Sequence, residues 1–442
     1  MRENDFSEND SLKIRKAVNQ DKRKMVHRKI FHILLVTIVF FIPVYGRVIP
    51  ILITLLFLNW LAEGTYIQTF PLLLRDKNRF VLISFLFLYL IYLAGLSYSS
   101  NLDYGSFDME VKLSLLIFPL IFATSESIPL PGKIIKTALA GFIAGCFFST
   151  LLLYGHAIYT TVTGQGFNMF YYSNLSWYFH PTYLALYHVF AIAVLINWFT
   201  ESHGGLSRNR LVALFLILNS FVFALLLNSK AGYISLFIVF FFYAFYFTAV
   251  RKKRITGPLI IVIPVSLFIG SLILFPYSGQ RLKQAGIDLQ SADAHDKDPK
   301  STAERIAVWK ASLEIIREHP FFGVGTGDVK DALLTRYKAD DFPKGLRLKL
   351  NAHNQYLQTL IAIGVIGEIV LLYMLVFPAV LAFREKKYLY FLFIVIFALN
   401  ITVESMFEIQ AGVVFYALFN ALLFASGSQA FPASGVVFSE KT

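Results

Sequence analysis

His353 stands where a long polar interval, residues 277–352, runs into an apolar stretch, and Asn354 and Gln355 follow it. An imidazole accepts and returns a proton near neutral pH, which suits general-base work. Ionisable groups near membrane depth are functional candidates by default. Arg305 opens an amphipathic segment in the same interval, and a guanidinium fork suits a phosphate. Arg281 and Lys283 are similar cations earlier in it. Lys230 sits in the short turn NSKAG, where a charge is costly unless it is used or reaches water. Glu404 and Glu408 lie four apart at the entrance to the last apolar stretch and can orient a cation or a sugar hydroxyl. His180, in HPT after an aromatic loop, can line the same mouth as Asn354. Tyr171, Tyr172, Trp177 and Tyr178 of that loop can stack on sugar rings, although such aromatics also form interfacial belts.

These groups need a frame, and the frame is a membrane one. The 442 residues are 56% hydrophobic and 15% charged, against roughly 45–50% and 25% in soluble domains. Apolar stretches long enough for bilayer helices fall at about 30–45, 47–64, 80–97, 112–124, 134–158, 182–199, 211–227, 231–249, 256–275, 353–382, 388–403 and 409–427. The expected fold is therefore an all-α polytopic membrane protein of about twelve transmembrane helices, with Pro119 kinking the fourth. With the N-terminus in the cytoplasm, RDKNR, SRNR, RKKR and REKK all fall on the cytoplasmic side. The divisions that follow are a cytoplasmic tail (1–29), helices one to nine (30–276), an outer loop (277–352), helices ten to twelve (353–427) and a second cytoplasmic tail (428–442). Residues 1–29 carry no small-residue cleavage site and read as a tail rather than a signal peptide. The net charge of +12 belongs to the cytoplasmic ends of spans and implies no nucleic-acid partner. Cys146, the only cysteine, reads as packing.

The outer loop has its own pattern. Ser301 and Glu304 match a capping box, and Ile306, Trp309, Leu313 and Ile316 share one helical face. His319-Pro320 ends that helix, three glycines make a turn, and Asp328 can cap a second helix. Two such helices over a bundle predict a lid. Two other motifs carry little. GVGTG (323–327) lacks a preceding strand and a following GK[ST], and ADAHDKD (292–298) has carboxylates but no rigid scaffold for a metal.

The string RIAVWKASLEIIREHPFFGVGTG, then AHNQYLQ, GVIG and ESMFEIQAG, resembles the O-antigen ligase and O-antigen polymerase superfamily, mainly across residues 220–415. That resemblance implies a metal-independent, inverting glycosyltransferase with no cofactor. Its partners would be a glycan on undecaprenyl pyrophosphate, a lipid-linked acceptor sugar and membrane lipids. Its site would face the periplasm from a bacterial inner membrane. His353 would be the base, and Arg305 would hold the pyrophosphate. Lys230 stands where the family usually has arginine, keeping the charge but losing the fork. The expected activity is O-antigen ligase, in lipopolysaccharide biosynthesis. A polymerase on the same carrier, a protein O-glycosyltransferase and a polysaccharide-lipid transporter are the alternatives.

Overall fold

The computed structural model describes residues 2–73, 75–125, 132–201, 207–274 and 301–425. All regular structure among them is helical, and the chain is an all-α polytopic membrane protein. Eight helices in that set are long and apolar enough to cross a membrane. Within the described residues each of the twelve expected stretches overlaps a helix. Four of those helices are shorter in their apolar part: the end of α1 (Arg2–Phe41), α6 (Ser114–Thr124), α16 (Tyr388–Asn400) and α17 (Gln410–Ala425). The count of twelve rests on these four.

The remaining long helices are α2 (Ile49–Glu63), α7 (Gly132–Thr160), α8 (Pro181–Glu201), α9 (Arg208–Leu226), α10 (Lys230–Phe245), α11 (Thr256–Leu274) and α15 (Gln355–Arg384). The third expected span is two collinear pieces, α3 (Lys77–Ser84) and α4 (Phe87–Leu96). Pro119 lies inside α6, and α5 (Leu102–Lys112) is separated from α6 by the single residue Leu113. The core forms around α8, α16 and α17. Phe142, Phe190, Phe393 and Phe419 meet there, with ring centroids 4.9 Å apart for Phe142–Phe419 and 5.0 Å for Phe190–Phe419. Such edge-to-face pairs suit the quadrupole of the rings. At the other extreme α11 leaves Leu259, Val262, Ile263 and Leu267 exposed, as a lipid-facing helix does.

Among the described residues of the 277–352 interval there are three helices: α12 (Ser301–Glu318), α13 (Val329–Ala339) and α14 (Pro343–Leu348). Their arrangement corrects two expectations. The buried face of α12 is Val308, Ala311, Ser312 and Ile315, while Leu313 is exposed; the helix is rotated from the face its largest side chains suggest. Ser312 is small enough to bury and bonds the Val308 carbonyl, so close approach outweighs side-chain size. Glu304 pairs with Lys344 of α14 at 2.7 Å, and the Ser301 half of the expected capping box lies outside the described side chains. Asp328 does not cap α13 with its side chain; its carboxylate accepts from the amides of Ser100, at 2.8 Å, and Asn101, at 2.7 Å.

The glycine turn has a structural task. Helix α15 breaks at Ile363 and Gly364, where Gly364 has φ 63°. The break frees backbone groups that a lipid environment cannot satisfy. The turn supplies the partners: Val324 N–H donates to the Ile361 carbonyl at 2.8 Å, Gly325 N–H to that of Ala362 at 3.0 Å, and Val365 N–H to that of Pro320 at 2.9 Å. A Cβ on Gly364 would collide with the Phe321 carbonyl.

Candidate active site

The site is built on one carboxylate. Glu404 lies in the connection between α16 and α17 and is buried. Its Oε1 accepts from the Arg305 guanidinium at 2.8 Å and lies 3.9 Å from His180 Nε2. Its Oε2 lies 3.6 Å from His353 Nδ1, a charge contact longer than a hydrogen bond. Residues from three separate stretches therefore meet within 4 Å of the Glu404 side chain.

Each is held by its backbone. Arg305 comes from the first turns of α12. His180 directly precedes α8. His353 lies just before α15 rather than in its first turn, with φ 45°. Its amide donates to Asn351 Oδ1 at 3.0 Å. Asn354 is the N-cap of α15 and uses its side-chain oxygen on the Leu357 amide. The Glu404 connection is stitched to this same end. Asn354 N–H donates to Ser405 Oγ at 3.2 Å, Gln355 N–H to the Ile401 carbonyl at 2.8 Å, and Phe407 N–H to Gln355 Oε1 at 2.7 Å.

Charge follows from this packing. Burial raises the Glu404 carboxyl, but His353, His180 and Arg305 together outweigh it and hold the group below its usual value. Burial lowers the His180 imidazole, Glu404 opposes this, and the net is still downward. His180 thus stays neutral where an exposed histidine would begin to charge. Among the described residues, both ring nitrogens of His353 are buried and without a hydrogen-bond partner.

Lys230 begins α10. Ser229, beside it, donates to Thr182 Oγ1 in the first turn of α8 at 3.3 Å, two residues from His180. Lys230 is therefore at the same end of the bundle as the Glu404 group. Glu408 is not part of that group. It accepts from Lys112 Nζ at 3.0 Å, and Lys112 also bonds Asp108 at 2.6 Å. Burial and Glu408 push the Asp108 carboxyl up, against the pull of Lys112. Gln355 Nε2, 3.3 Å from Glu408 Oε1, links this triad to the head of α15. Sequence reading missed Lys112, which lies at the polar edge of an apolar stretch. The available signal was Asp108 four residues before it, on one helix face. Arg281 and the 292–298 run lie outside the described residues.

Residues 211–372 match the family model described as O-antigen ligase. The resemblance to the O-antigen ligase superfamily is borne out over this segment, which holds Lys230, Arg305 and His353. An uncharacterized protein of Haemophilus influenzae is 24% identical over 310 residues, 69% of this chain and 72% of that protein. The match supports a ligase- or polymerase-type membrane enzyme. Glu404 and His180 lie outside the matched segment, and only the folded chain brings them to it.

Proposed function

We propose that the chain is an O-antigen ligase-type glycosyltransferase. It moves a glycan from undecaprenyl pyrophosphate to a lipid-linked core sugar at the periplasmic face of the bacterial inner membrane. The observation that carries this reading is the meeting of Arg305, His353 and His180 on Glu404. Together with the family match, it favours glycosyl transfer over an unrelated polar cluster.

The chemistry needs a base for the attacking hydroxyl and a stabilised leaving group. His353 takes the proton from the acceptor hydroxyl while that oxygen bonds the anomeric carbon from the face opposite the pyrophosphate. The carbon–oxygen bond to pyrophosphate breaks, and its electron pair leaves with the phosphate. Glu404 faces Nδ1 of His353, which leaves Nε2 as the proton-accepting atom. Arg305 has five N–H donors and the described contact to Glu404 uses one nitrogen, so the remaining donors can meet the phosphate. Lys230 adds a second positive charge. His353→Ala should lower transfer by at least about a hundredfold, as loss of a general base does, with membrane insertion unchanged. Transfer at the wild-type rate would remove His353 as the base.

Polymerase and ligase share this site chemistry. A deletion strain separates them on a gel. Lipid core without any surface polysaccharide means ligase, and core bearing a single repeat unit means polymerase. The transporter alternative is disfavoured by the break in α15. Transporters line their path with such breaks, whereas here the glycine turn occupies it.

A further inference from the structure

Beside the Glu404 group lies a cavity of about 830 Å³. It is formed where the α1–α2 turn, α7, the aromatic loop and the start of α17 come together, and Tyr45, Arg47, His156, Trp177, Phe179 and Gln410 are among its lining residues. One of its walls continues into the candidate active site, where Phe179 immediately precedes His180, and another, at Gln410, lies two residues from Glu408 of the neighbouring Lys112 triad.

The lining pairs aliphatic side chains such as Ile42, Leu152 and Val414 with aromatic and polar groups, a mixture that suits a sugar carried on a lipid. Trp177 stacks on His156 with centroids 4.9 Å apart, yet 60% of the residue stays exposed. Tyr45 is 44% exposed. Aromatic faces left open beside polar groups suit the apolar faces of sugar rings. Arg47 is the cation of this lining, set in a short turn at the Glu404 end of the bundle. Short outer turns disfavour Arg and Lys, so its retention points to use. One guanidinium matches a singly charged substituent. A pyrophosphate calls for several cations, which Arg305 and Lys230 provide elsewhere.

We propose that this cavity seats the sugar head of the acceptor lipid, an anionic saccharide, with Tyr45 and Trp177 as its platform and Arg47 meeting its charge. The proposal rests on the transferase reading and assigns its second substrate a place. The acceptor hydroxyl then reaches the catalytic group past Phe179 and His180.

The test uses the full-length protein in detergent, a lipid bearing core sugars only as acceptor, and a glycan on undecaprenyl pyrophosphate as donor. Arg47→Ala and Trp177→Ala should each raise the acceptor KM about tenfold and leave the donor KM within about twofold, the tenfold being ~1.4 kcal/mol. Trp177→Phe, which keeps a ring, should stay within about threefold of wild type. A raised donor KM, or no change in either, overturns the proposal. Direct titration of the same acceptor lipid onto wild type and the two alanine variants reads the cavity independently of turnover. Weaker binding in both variants upholds it even if no transfer occurs, a result that would instead sink the transferase reading. Equal binding in all three overturns it.

Discussion

At the scale of single residues, Glu404 decides what its neighbours can do. Its carboxyl titrates below the usual 4.5 in the folded protein, so the pairing stabilises the fold at every pH above that value. That contribution is lost only as pH falls through the lowered value. The melting-temperature gap between wild type and Glu404→Gln should therefore be flat from about pH 8 to 5 and narrow only as pH falls below 4.5. A gap that closes near pH 6 would mean that the histidines, not the carboxylate, set it. At Lys230, charge and fork can be told apart. Lys230→Arg should retain turnover within about threefold, and Lys230→Ala should lose at least about tenfold, measured as glycan transferred per unit of membrane-inserted protein. Wild-type behaviour of both variants would make Lys230 structural. His353 stands out at the edge of an apolar run, Lys230 in a short turn and Arg305 at the head of an amphipathic segment. Lys112 also sits at such an edge, but its tie to Glu408, 296 residues away, exists only through packing.

At the scale of elements, sequence periodicity found the helices and misplaced their faces. In α12 the large apolar residues point partly outward, and the small Ser312 and Ala311 face inward, so hydrophobic size was a poor guide to contact. Asp328 obeyed the chemistry of capping but applied it to the amides of another segment. Local rules describe which bond an aspartate makes, whereas the tertiary fold selects the partner. The buried triad is the sharpest test at this scale. Lys112→Met leaves Asp108 and Glu408 buried without their cation, which should cost roughly 3–5 kcal/mol. Thermal or denaturant unfolding of the detergent-solubilised protein measures it. A cost under about 1 kcal/mol would mean that the two carboxylates are already neutral or hydrated.

At the scale of the whole molecule, composition alone announced a polytopic membrane protein, and the structure agrees. The number of crossings was less legible, since four of the apolar helices are short or continue into polar ones. The division of labour is clear nonetheless. Helices α8, α16 and α17 form a packed centre, α11 faces outward, and the ionisable groups gather where α8, α10, α15 and the Glu404 connection end. A metal-independent mechanism predicts that purified enzyme keeps full activity in millimolar EDTA. Inhibition reversed by Mg²⁺ or Mn²⁺ would relocate the chemistry to a cation held by residues 288–298.

The seam between the glycine turn and the broken helix has a further consequence. Because the outer segment is bonded into the backbone of α15, it cannot hinge open like a door without exposing unpaired amides to hydrocarbon. On the transferase reading proposed above, entry sideways between helices would spare those bonds, and such a route would favour molecules already dissolved in lipid over free sugars in the surrounding water.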